Sequence, residues 1–352
     1  MYKIKTDILI IGSGPVGLFT VFEAGLLGLK CHIIDALEKP GGQCSEIYPK
    51  KPIYDIPGTP EIMAGSLIDN LLEQIKPFNP GYSLGETAEK LIKNKDGSFD
   101  VITNKGTIHN SKVVAIAGGL GSFEPRKPPI NNITFFEGKG VDYMIKDPNQ
   151  FKDKKVIISG GGDSALDWTI ELCKVAKKVT LIHRRTEFRG AYDSVEKVQT
   201  LKNKSLIDVI TPGEVLQLNG VNKLESVSIK YNGQNKLIEA DYFIPLFGLI
   251  PKLGRIADWG LEIHKKSIVV NNSLDYQTNI SGIFAIGDIN TYPGKLKLIL
   301  CGFHEATLMC QAAFKIIFPD KKNILKYTTV SGIQGFDGSK RKTDNSIIKS
   351  IE

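Results

Sequence analysis

Short runs of apolar residues that stop at glycine recur along the chain. Ile8–Ile11 is a run of four apolar residues, three of them β-branched, and Val113–Ala117 and Val156–Ser159 have a similar composition. Such runs are typical of strands buried on both faces of a parallel sheet. A further run, 278–286, is followed by Gly287-Asp288. The pattern therefore predicts an α/β protein built on parallel sheets.

Other segments have the periodicity of helices or of antiparallel strands. Residues 62–75 and 305–318 are predicted helices, the second with apolar residues on one face. Residues 83–103 and 206–246 are predicted to form short strands joined by turns rich in Asn and Gly. These segments lie between the buried runs, as expected for domains that combine parallel and antiparallel sheets.

The first buried run leads into a glycine-rich turn and a predicted helix. Gly12 would make the turn, Gly14 would let the backbone approach a pyrophosphate, and Gly17 would let helix and strand pack closely. Pro15, within the same motif, is a further predicted cofactor-binding residue, and the helix N-terminus offers roughly half a positive charge to phosphate. The next strand ends in Asp35, which can bond ribose hydroxyls and would repel a 2′-phosphate. This unit is predicted to bind FAD or NAD rather than NADP.

A second unit repeats this pattern with a different ending. Gly12 to Asp35 and Gly160 to His183 are both intervals of 23 residues. Arginine replaces the acid after the second strand, and its guanidinium suits a 2′-phosphate. The residues predicted to bind this nucleotide are Gly160, Gly162, Asp163, Ser164, Ala165, His183, Arg184, Arg185 and Arg189. One unit is thus expected to take FAD and the other NADPH/NADP⁺.

The order of the two units predicts the domain organisation. The length of 352 residues is enough for two domains, each with its own core. We predict two Rossmann-like domains, with the NADPH domain at 119–247 inserted into an FAD domain. The FAD domain comprises 1–118 and 248–352, and its C-terminal tail is expected to cover the flavin.

Composition limits the classes of function. Hydrophobic residues make up 41% and charged residues 24% of the chain, as in ordinary globular proteins. No apolar run has the length of a membrane span, no secretory pattern opens the chain, and a cytoplasmic protein without a membrane partner is expected. The net charge of +7 indicates either a lysine-rich solvated surface or attraction to an acidic partner. Nucleic acid is disfavoured because no basic patch interleaved with aromatic residues occurs.

The five cysteines favour neither a disulfide framework nor a metal site, since their number is odd and no C-x-x-C pair occurs. Cys44 lies in a predicted loop, 39–49, without a second cysteine, which excludes dithiol chemistry there and favours a packing role. In the same loop Tyr48 is a candidate to stack on an isoalloxazine ring, with an ordinary packed tyrosine as the alternative. Elsewhere Ala88 is small enough to lie against an adenine, and Asp288 could accept hydrogen bonds from ribityl hydroxyls.

Taken together, the two glycine motifs, the His183-Arg-Arg-x-x-Phe-Arg189 motif and Gly287-Asp288 resemble those of the thioredoxin-reductase family. The C-x-x-C of thioredoxin reductase is absent, because 141–147 contains no cysteine. Further motifs, Gly41-Gly-Gln43, Tyr292-x-Gly294-Lys295 and Gly302-Phe-His-Glu305-Ala306, are similar to those of the thioredoxin-reductase-like (type 2) ferredoxin–NADP⁺ reductases.

This resemblance implies a homodimer, an inserted NADPH domain and particular flavin contacts. The FAD-contacting residues implied are Asp35, Gln43, Tyr48, Ala88, Phe123, Asp288 and Thr329. An aromatic ring from the C-terminal tail would cover the second flavin face, and this chain has Tyr327 there, followed by Thr328. Tyr48, Tyr327 and Thr328 are therefore the predicted catalytic residues, and no metal is expected.

The function implied is electron transfer between NADPH and ferredoxin or flavodoxin through FAD. Hydride would pass between nicotinamide and flavin N5, and single electrons would pass to the protein partner. Two alternatives remain open: an NADPH-dependent reductase of free flavin, quinone or oxygen, and a flavin-based redox sensor that acts by binding a partner.

Overall fold

A computed structural model describes residues 3–121, 124–250, 252–271, 274–322, 328 and 332–333. The chain divides into two compact units. Unit 1 comprises Met1–Glu46, Lys51–Ser122 and Leu253–Glu352, and unit 2 comprises Ile47–Lys50 and Phe123–Lys252.

Both units contain strands and helices. In chain order the strands are β1 Lys3–Lys5, β2 Ile8–Ile11, β3 Cys31–Asp35, β4 Pro52–Ile53, β5 Ile62–Met63, β6 Gly81–Leu84, β7 Ala88–Lys93, β8 Phe99–Thr103, β9 Ile108–Ser111, β10 Val113–Ile116, β11 Glu124–Pro125, β12 Lys155–Ser159, β13 Lys178–Ile182, β14 Asp208–Ile210, β15 Gly213–Asn219, β16 Ser226–Tyr231, β17 Gln234–Glu239, β18 Tyr242–Pro245, β19 Leu249–Ile250, β20 Ile263–His264, β21 Ser267–Val269, β22 Ile283–Ala285 and β23 Asn290–Thr291. The α-helices are α1 Pro15–Leu26, α2 Gln43–Glu46, α3 Ala64–Ile75, α4 Ile133–Phe136, α5 Asp163–Leu172, α6 Tyr192–Asn203 and α7 Ile299–Ile317.

Unit 1 is built on a parallel five-stranded sheet in the order β22-β10-β2-β3-β6. Every residue of β2, β10 and β22 is buried, which confirms the prediction from their apolar runs. A second sheet, β1-β9-β8-β7, contains the antiparallel hairpin expected around residues 94–97. Helices α1, α3 and α7 pack together in this unit.

Unit 2 is built on a parallel four-stranded sheet in the order β14-β13-β12-β18. An antiparallel sheet, β15-β16-β17, follows from the predicted Asn-Gly turns. Two hydrophobic clusters fill the unit, one around Trp168 and Leu166 and the other around Phe243 and Phe136. The parallel sheets of the two units therefore confirm the predicted fold class.

Element boundaries differ from the sequence prediction at several places; the predicted helix 62–75, for example, begins at Ala64, after strand β5. The predicted loop 39–49 contains the short helix α2, whose Glu46 N–H donates to the carbonyl of Gly42 at 2.9 Å. The predicted helix 305–318 begins earlier, at Ile299. Leucines at the start of α7 are exposed, so apolar residues there do not mark one buried face. Apolar periodicity therefore does not predict where this helix begins. Among the described residues, no helix has both the length and the apolar character needed to cross a membrane.

Two histidines meet in the interior of unit 1, one on its five-stranded sheet and one on the sheet β1-β9-β8-β7. The rings of His32 on β3 and His109 on β9 lie 4.7 Å apart, centroid to centroid. Nε2 of His32 shares a hydrogen bond of 2.9 Å with the hydroxyl of Ser83. His109 is fully buried, and neither of its ring nitrogens has a hydrogen-bond partner among the described residues.

Burial determines the charge state of this pair. The pKa of His32 is lowered from 6.5 to about 4, mainly by desolvation and also by the neighbouring His109, with Glu86 acting in the opposite direction. Desolvation also lowers the pKa of His109, against an opposing contribution from Glu86. Both imidazoles are therefore neutral in the folded protein near pH 7, since an unpaired buried charge is costly.

We expect this pair to make unit 1 sensitive to acid. Below pH 6.5 the unfolded chain binds protons that the folded chain does not, so stability falls as the pH drops from about 6.5 towards 4. The free energy of unfolding falls by at most about 1.4 kcal/mol per pH unit for each proton that only the unfolded chain binds. His109→Phe should flatten this dependence in urea unfolding at pH 7, 6 and 5. The exposed His264→Phe is the control, and an unchanged slope for His109→Phe would contradict the assignment.

Candidate functional site

The glycine turn after β2 is constrained by close backbone contacts. Gly12 has φ +110°, and a Cβ there would lie 2.5 Å from the carbonyl oxygen of Ala117. A Cβ on Gly17 would lie 2.0 Å from the carbonyl oxygen of Gly12. Each position therefore requires glycine, as the dinucleotide fingerprint predicts.

Space opens between these two glycines, at the start of α1. Gly14 is the N-cap residue of α1, and no heavy atom of the described residues lies within 4 Å of a Cβ built there. Pro15 occupies the first helical position, and no side chain in the described structure caps this helix end. Unpaired N–H groups and open space are the features that a pyrophosphate needs at a helix N-terminus.

Asp35 ends β3 next to this turn. Its Oδ2 accepts hydrogen bonds from the backbone N–H and the hydroxyl of Ser13, each 2.6 Å long, and its Oδ1 accepts from the N–H of Leu37 at 2.8 Å. The carboxylate is thus fixed beside the phosphate-binding turn, with lone pairs remaining for ribose hydroxyls. Ser13 was not a sequence candidate, because it occupies a variable position of the motif.

The Gly41–Gln43 segment lies against the same turn. The N–H of Gly41 donates to the carbonyl of Ser13 at 2.9 Å, and a Cβ on Gly42 would lie 3.2 Å from Cα of Gly14. The side-chain nitrogen of Gln43 lies 3.5 Å from the Cβ position of Gly119. The structure therefore brings Gln43 to the rim of the predicted FAD site.

Further predicted FAD residues lie around this turn. The N–H of Glu86, two residues before the buried Ala88, donates to the carbonyl of Asp35 at 3.0 Å. Asp288 is half-buried in a 3₁₀ turn, and burial raises the pKa of its carboxyl. Of the predicted tail residues, Thr328 is exposed. Phe123, Tyr327 and Thr329 lie outside the described residues.

Tyr48 belongs to the short piece of chain assigned to unit 2. Its half-buried ring packs against the hydrophobic cluster around Trp168 and Leu166. This contact satisfies the apolar part of the ring and corresponds to the ordinary packing role considered above. The stacking of Tyr48 on an isoalloxazine stays a prediction.

Unit 2 repeats the geometry of the first turn 148 positions later. The N–H of Gly12 donates to Ile34 at 2.8 Å, and that of Gly160 donates to Ile182 at 3.0 Å. Leu18 N–H donates to Gly14 at 3.0 Å, and the corresponding bond in unit 2, from residue 166 to residue 162, is 3.2 Å long. The two turns are thus an internal repeat in structure as well as in sequence.

The second turn also has open space at its helix. Gly162 is the N-cap residue of α5, and no heavy atom of the described residues lies within 4 Å of a Cβ built there. Ala165 is buried, and its Cβ lies 2.7 Å from the Cβ position of Gly160. Ser164 is exposed in the first turn of the helix. A second pyrophosphate can therefore approach α5 as the first would approach α1.

His183 supports the segment that follows β13. It is 5% exposed, and its ring stacks on Phe188 with centroids 5.4 Å apart. Its Nε2 lies 3.1 Å from the carbonyl of Glu187, and a Cβ on Gly161 would overlap its ring. These contacts show that His183 shapes the segment. Direct nucleotide contact by His183 stays a prediction.

The arginines follow this buried histidine and face solvent. A surface pocket of about 470 Å³ is lined by Arg184, Arg185, Thr186, Glu187, Phe188, Arg189 and Pro212. Arg189 N–H donates to Gly161 at 2.7 Å, and Oδ1 of Asp163 accepts from the N–H of Ala191 at 2.7 Å. The glycine turn and the arginine segment therefore hold each other in place.

Two glycine turns with open helix N-termini, one beside an acid and one beside arginines, are the geometry expected of an oxidoreductase with two dinucleotide-binding units. Residues 6–306 match the family described as pyridine nucleotide-disulphide oxidoreductase. The chain belongs to this family and, within it, to the thioredoxin-reductase-like (type 2) ferredoxin–NADP⁺ reductases.

Relatives cover nearly the whole chain. A protein of Flavobacterium johnsoniae named ferredoxin–NADP reductase is 68% identical over 99% of this chain and 99% of its own length. One of Bradyrhizobium sp. with the same name is 52% identical over 93% of this chain and 96% of its own length.

A solved structure supports the fold. The thioredoxin reductase of Lactococcus lactis has a TM-score of 0.76 and 24% identity, and covers 89% of this chain and 99% of its own. At this identity the likeness concerns the fold alone. It agrees with the expected fold class of two Rossmann-like domains of the thioredoxin-reductase type.

Proposed function

We propose that this protein is an FAD-dependent enzyme that transfers electrons between NADPH and ferredoxin. The names of its relatives support the reaction, and their similarity extends over nearly the whole chain. Flavodoxin is a second acceptor within the same proposal, since it is also an acidic one-electron carrier. The net charge of +7 is suited to attract such a partner.

One observation carries the choice of cofactors. The two glycine turns have corresponding backbone hydrogen bonds, but the charged residues at the end of β3 and just after β13 have opposite signs. Asp35 is fixed beside the first turn, whereas Arg184, Arg185 and Arg189 face the pocket beside the second. A carboxylate repels a 2′-phosphate and arginines bind one, so the first site suits FAD and the second NADPH.

The residues of unit 1 fit FAD by space and by charge. The uncapped end of α1 and the open space at Gly14 receive the pyrophosphate, and Asp35 accepts hydrogen bonds from the ribose of the adenosine. Ala88 lies beside the adenine, and Gln43 and Asp288 hold the flavin end. When bound, FAD supplies the exchange between two-electron transfer from NADPH and one-electron transfer to ferredoxin.

The tail and the segment after α2 complete this proposal. Tyr48 and Tyr327 provide aromatic faces for the flavin ring. Phe123 and Thr329 are further contacts with FAD in this proposal, and Thr328 is assigned a catalytic role with the two tyrosines. Aromatic rings stack on flat ligands with little loss of side-chain entropy and exclude water from the reacting face. If the ring of Tyr327 covers the flavin, it has to move before the nicotinamide can stack there.

We further propose that the enzyme works as a homodimer in the cytoplasm. The dimer rests on the family resemblance. The location rests on the cysteines, since Cys31, Cys173, Cys301 and Cys310 form no disulfide in the described structure. Unpaired cysteines are typical of proteins in reducing compartments.

The test of this function is NADPH-driven reduction of a purified ferredoxin, followed through cytochrome c at several salt concentrations. We expect turnover that depends on ferredoxin and falls as salt screens the docking charges. NADPH oxidation at the same rate with and without ferredoxin would contradict the proposal and favour a reductase of diffusible acceptors. A flavin-loaded protein without turnover with any acceptor would favour a redox sensor.

A further inference from the structure

A fully buried carboxylate in unit 1 receives four hydrogen-bond donors from one stretch of chain. Oε2 of Glu305, on α7, accepts from the N–H of Gly287 at 2.7 Å and from the side-chain nitrogen of Asn290 at 2.8 Å. Its Oε1 accepts from the hydroxyl of Tyr292 at 2.8 Å and forms an ion pair with Lys295. The side chain of Glu305 is 0% exposed and that of Lys295 is 5% exposed.

All four donors belong to residues 287–295, which we call the flavin segment because it carries Asp288. The segment has little regular structure: a 3₁₀ turn at Gly287–Ile289 and the two-residue strand β23. Strand β23 pairs with β21, while Glu305 bonds to residues before, within and after it. The carboxylate therefore fixes the path of the whole segment.

The start of the segment is also close to the phosphate-binding turn. Gly287 has φ +75°, and a Cβ there would lie 3.3 Å from the side chain of Val16 on α1. A Cβ on Gly302, one turn before Glu305 on α7, would lie 2.3 Å from Val16 and 3.4 Å from Cα of Gly287. Helix α7 thus holds the flavin segment against the helix that would bind the pyrophosphate.

General stability does not account for a buried ion pair at this place. Burial of two charges carries a large desolvation penalty, and a well-packed apolar pair of similar volume is often as stable or more so. What a carboxylate adds is direction, because each oxygen accepts bonds only from donors at defined positions. The ion pair also reaches Asp288, since Lys295 lowers the pKa of its carboxyl while burial and Glu305 raise it.

We propose that Glu305 is a positioning residue for FAD: together with Lys295 it holds the flavin segment so that Asp288 meets the ribityl hydroxyls. This inference rests on the proposed function, which supplies the FAD and the role of Asp288. Glu305 itself touches neither the cofactor nor the reacting atoms in this scheme. Its contribution is therefore made before the cofactor binds.

The test compares FAD binding with the stability of the apoprotein. In the double variant Lys295→Met/Glu305→Gln both charges are removed, so no unpaired buried charge remains. We expect the apoprotein to keep its far-UV circular dichroism and its melting temperature within a few degrees. We expect FAD to bind about tenfold more weakly. This is the effect of losing one charge-assisted hydrogen bond, here between Asp288 and a ribityl hydroxyl. The visible spectrum of the bound flavin should also shift.

Two further variants keep the test decisive. Tyr292→Phe removes one donor from Glu305 without changing any charge, and we expect a smaller loss of FAD affinity with the same spectral shift. Glu23→Gln is the matched control. Glu23 is a half-buried carboxyl that bonds to Thr307 on α7, the helix of Glu305, rather than to the flavin segment. Its FAD affinity and spectrum should equal those of the wild type.

The outcomes separate this inference from the proposed function. Wild-type affinity and spectrum in both the double variant and Tyr292→Phe would overturn the positioning role. A loss of FAD-binding free energy that is matched by an equal loss in the free energy of unfolding of the apoprotein would also overturn it. Glu305 would then have a packing role alone. A wild-type apoprotein that does not take up FAD at all would instead overturn the proposed function.

Discussion

Replacement of Arg184 and Arg185 by alanine together should weaken NADPH binding by about a hundredfold or more. Each guanidinium in the pocket beside β13 can form charge-assisted hydrogen bonds with a 2′-phosphate, and a bond of this type contributes about 1.5–3 kcal/mol. NADH has no 2′-phosphate, so its binding should change little. The measurement is the Kd of each nucleotide, from quenching of flavin or protein fluorescence, with the KM of each as a second readout.

The matched control for this prediction is Lys202→Ala/Lys204→Ala. These exposed lysines at the end of α6 belong to the same unit, and the double change removes the same charge from a surface outside the pocket. We expect NADPH binding close to that of the wild type at physiological salt, since exposed charges beyond a Debye length are screened. Equal weakening of NADPH and NADH by the arginine variant would exclude a 2′-phosphate site.

Gly17→Ala should destabilise unit 1 and abolish stable FAD retention. A methyl group at this position would lie 2.0 Å from the carbonyl oxygen of Gly12, so the turn or helix α1 must move. Overpacking of this kind costs roughly 1–3 kcal/mol, and here the clash is with backbone rather than with a side chain that can rotate away. Urea unfolding of the apoprotein and the flavin content of the purified protein are the two measurements.

Gly14→Ala separates the effect on the cofactor from the effect on the fold. Gly14 has φ −68°, and the position of its Cβ is open, so alanine fits the apoprotein without strain. We expect unfolding as in the wild type but weaker FAD binding, because the methyl group occupies space that the pyrophosphate would approach. If Gly14→Ala binds FAD normally, the pyrophosphate does not lie at this helix end. If Gly17→Ala unfolds like the wild type, the tight turn is not required.

The sequence alone predicted the parallel sheets and both glycine turns. Local signals suffice for these features, since β2 and β12 are short apolar runs and their glycines occupy fixed positions after them. The interval of 23 residues in both units also predicted which side chains follow the second strand of each repeat. Fingerprints of this kind are readable because one strand, one turn and one helix are contiguous in the chain.

Interactions between distant parts of the chain could not be predicted in the same way. Asp35 bonds to Ser13 across 22 positions, and His32 meets His109 across two sheets. The role of Glu305 was hidden because its partners lie in a segment of irregular structure, which carries no periodic signal. Apolar spacing marked the buried face of α7 without indicating that a charged residue belongs to it.

The backbone hydrogen bonds that the two turns share have a consequence for cofactor loading in the cell. Since both turns lead into a helix end that no side chain caps and that has open space, we expect the turns themselves not to discriminate between FAD and nicotinamide nucleotides. Discrimination between the nucleotides depends on Asp35 at the end of β3 and on the arginines that follow β13, because their charges are opposite. An excess of NADPH should therefore not compete with FAD for the first turn during assembly of the holoenzyme. The flavin content of the enzyme is then independent of the size of the NADPH pool.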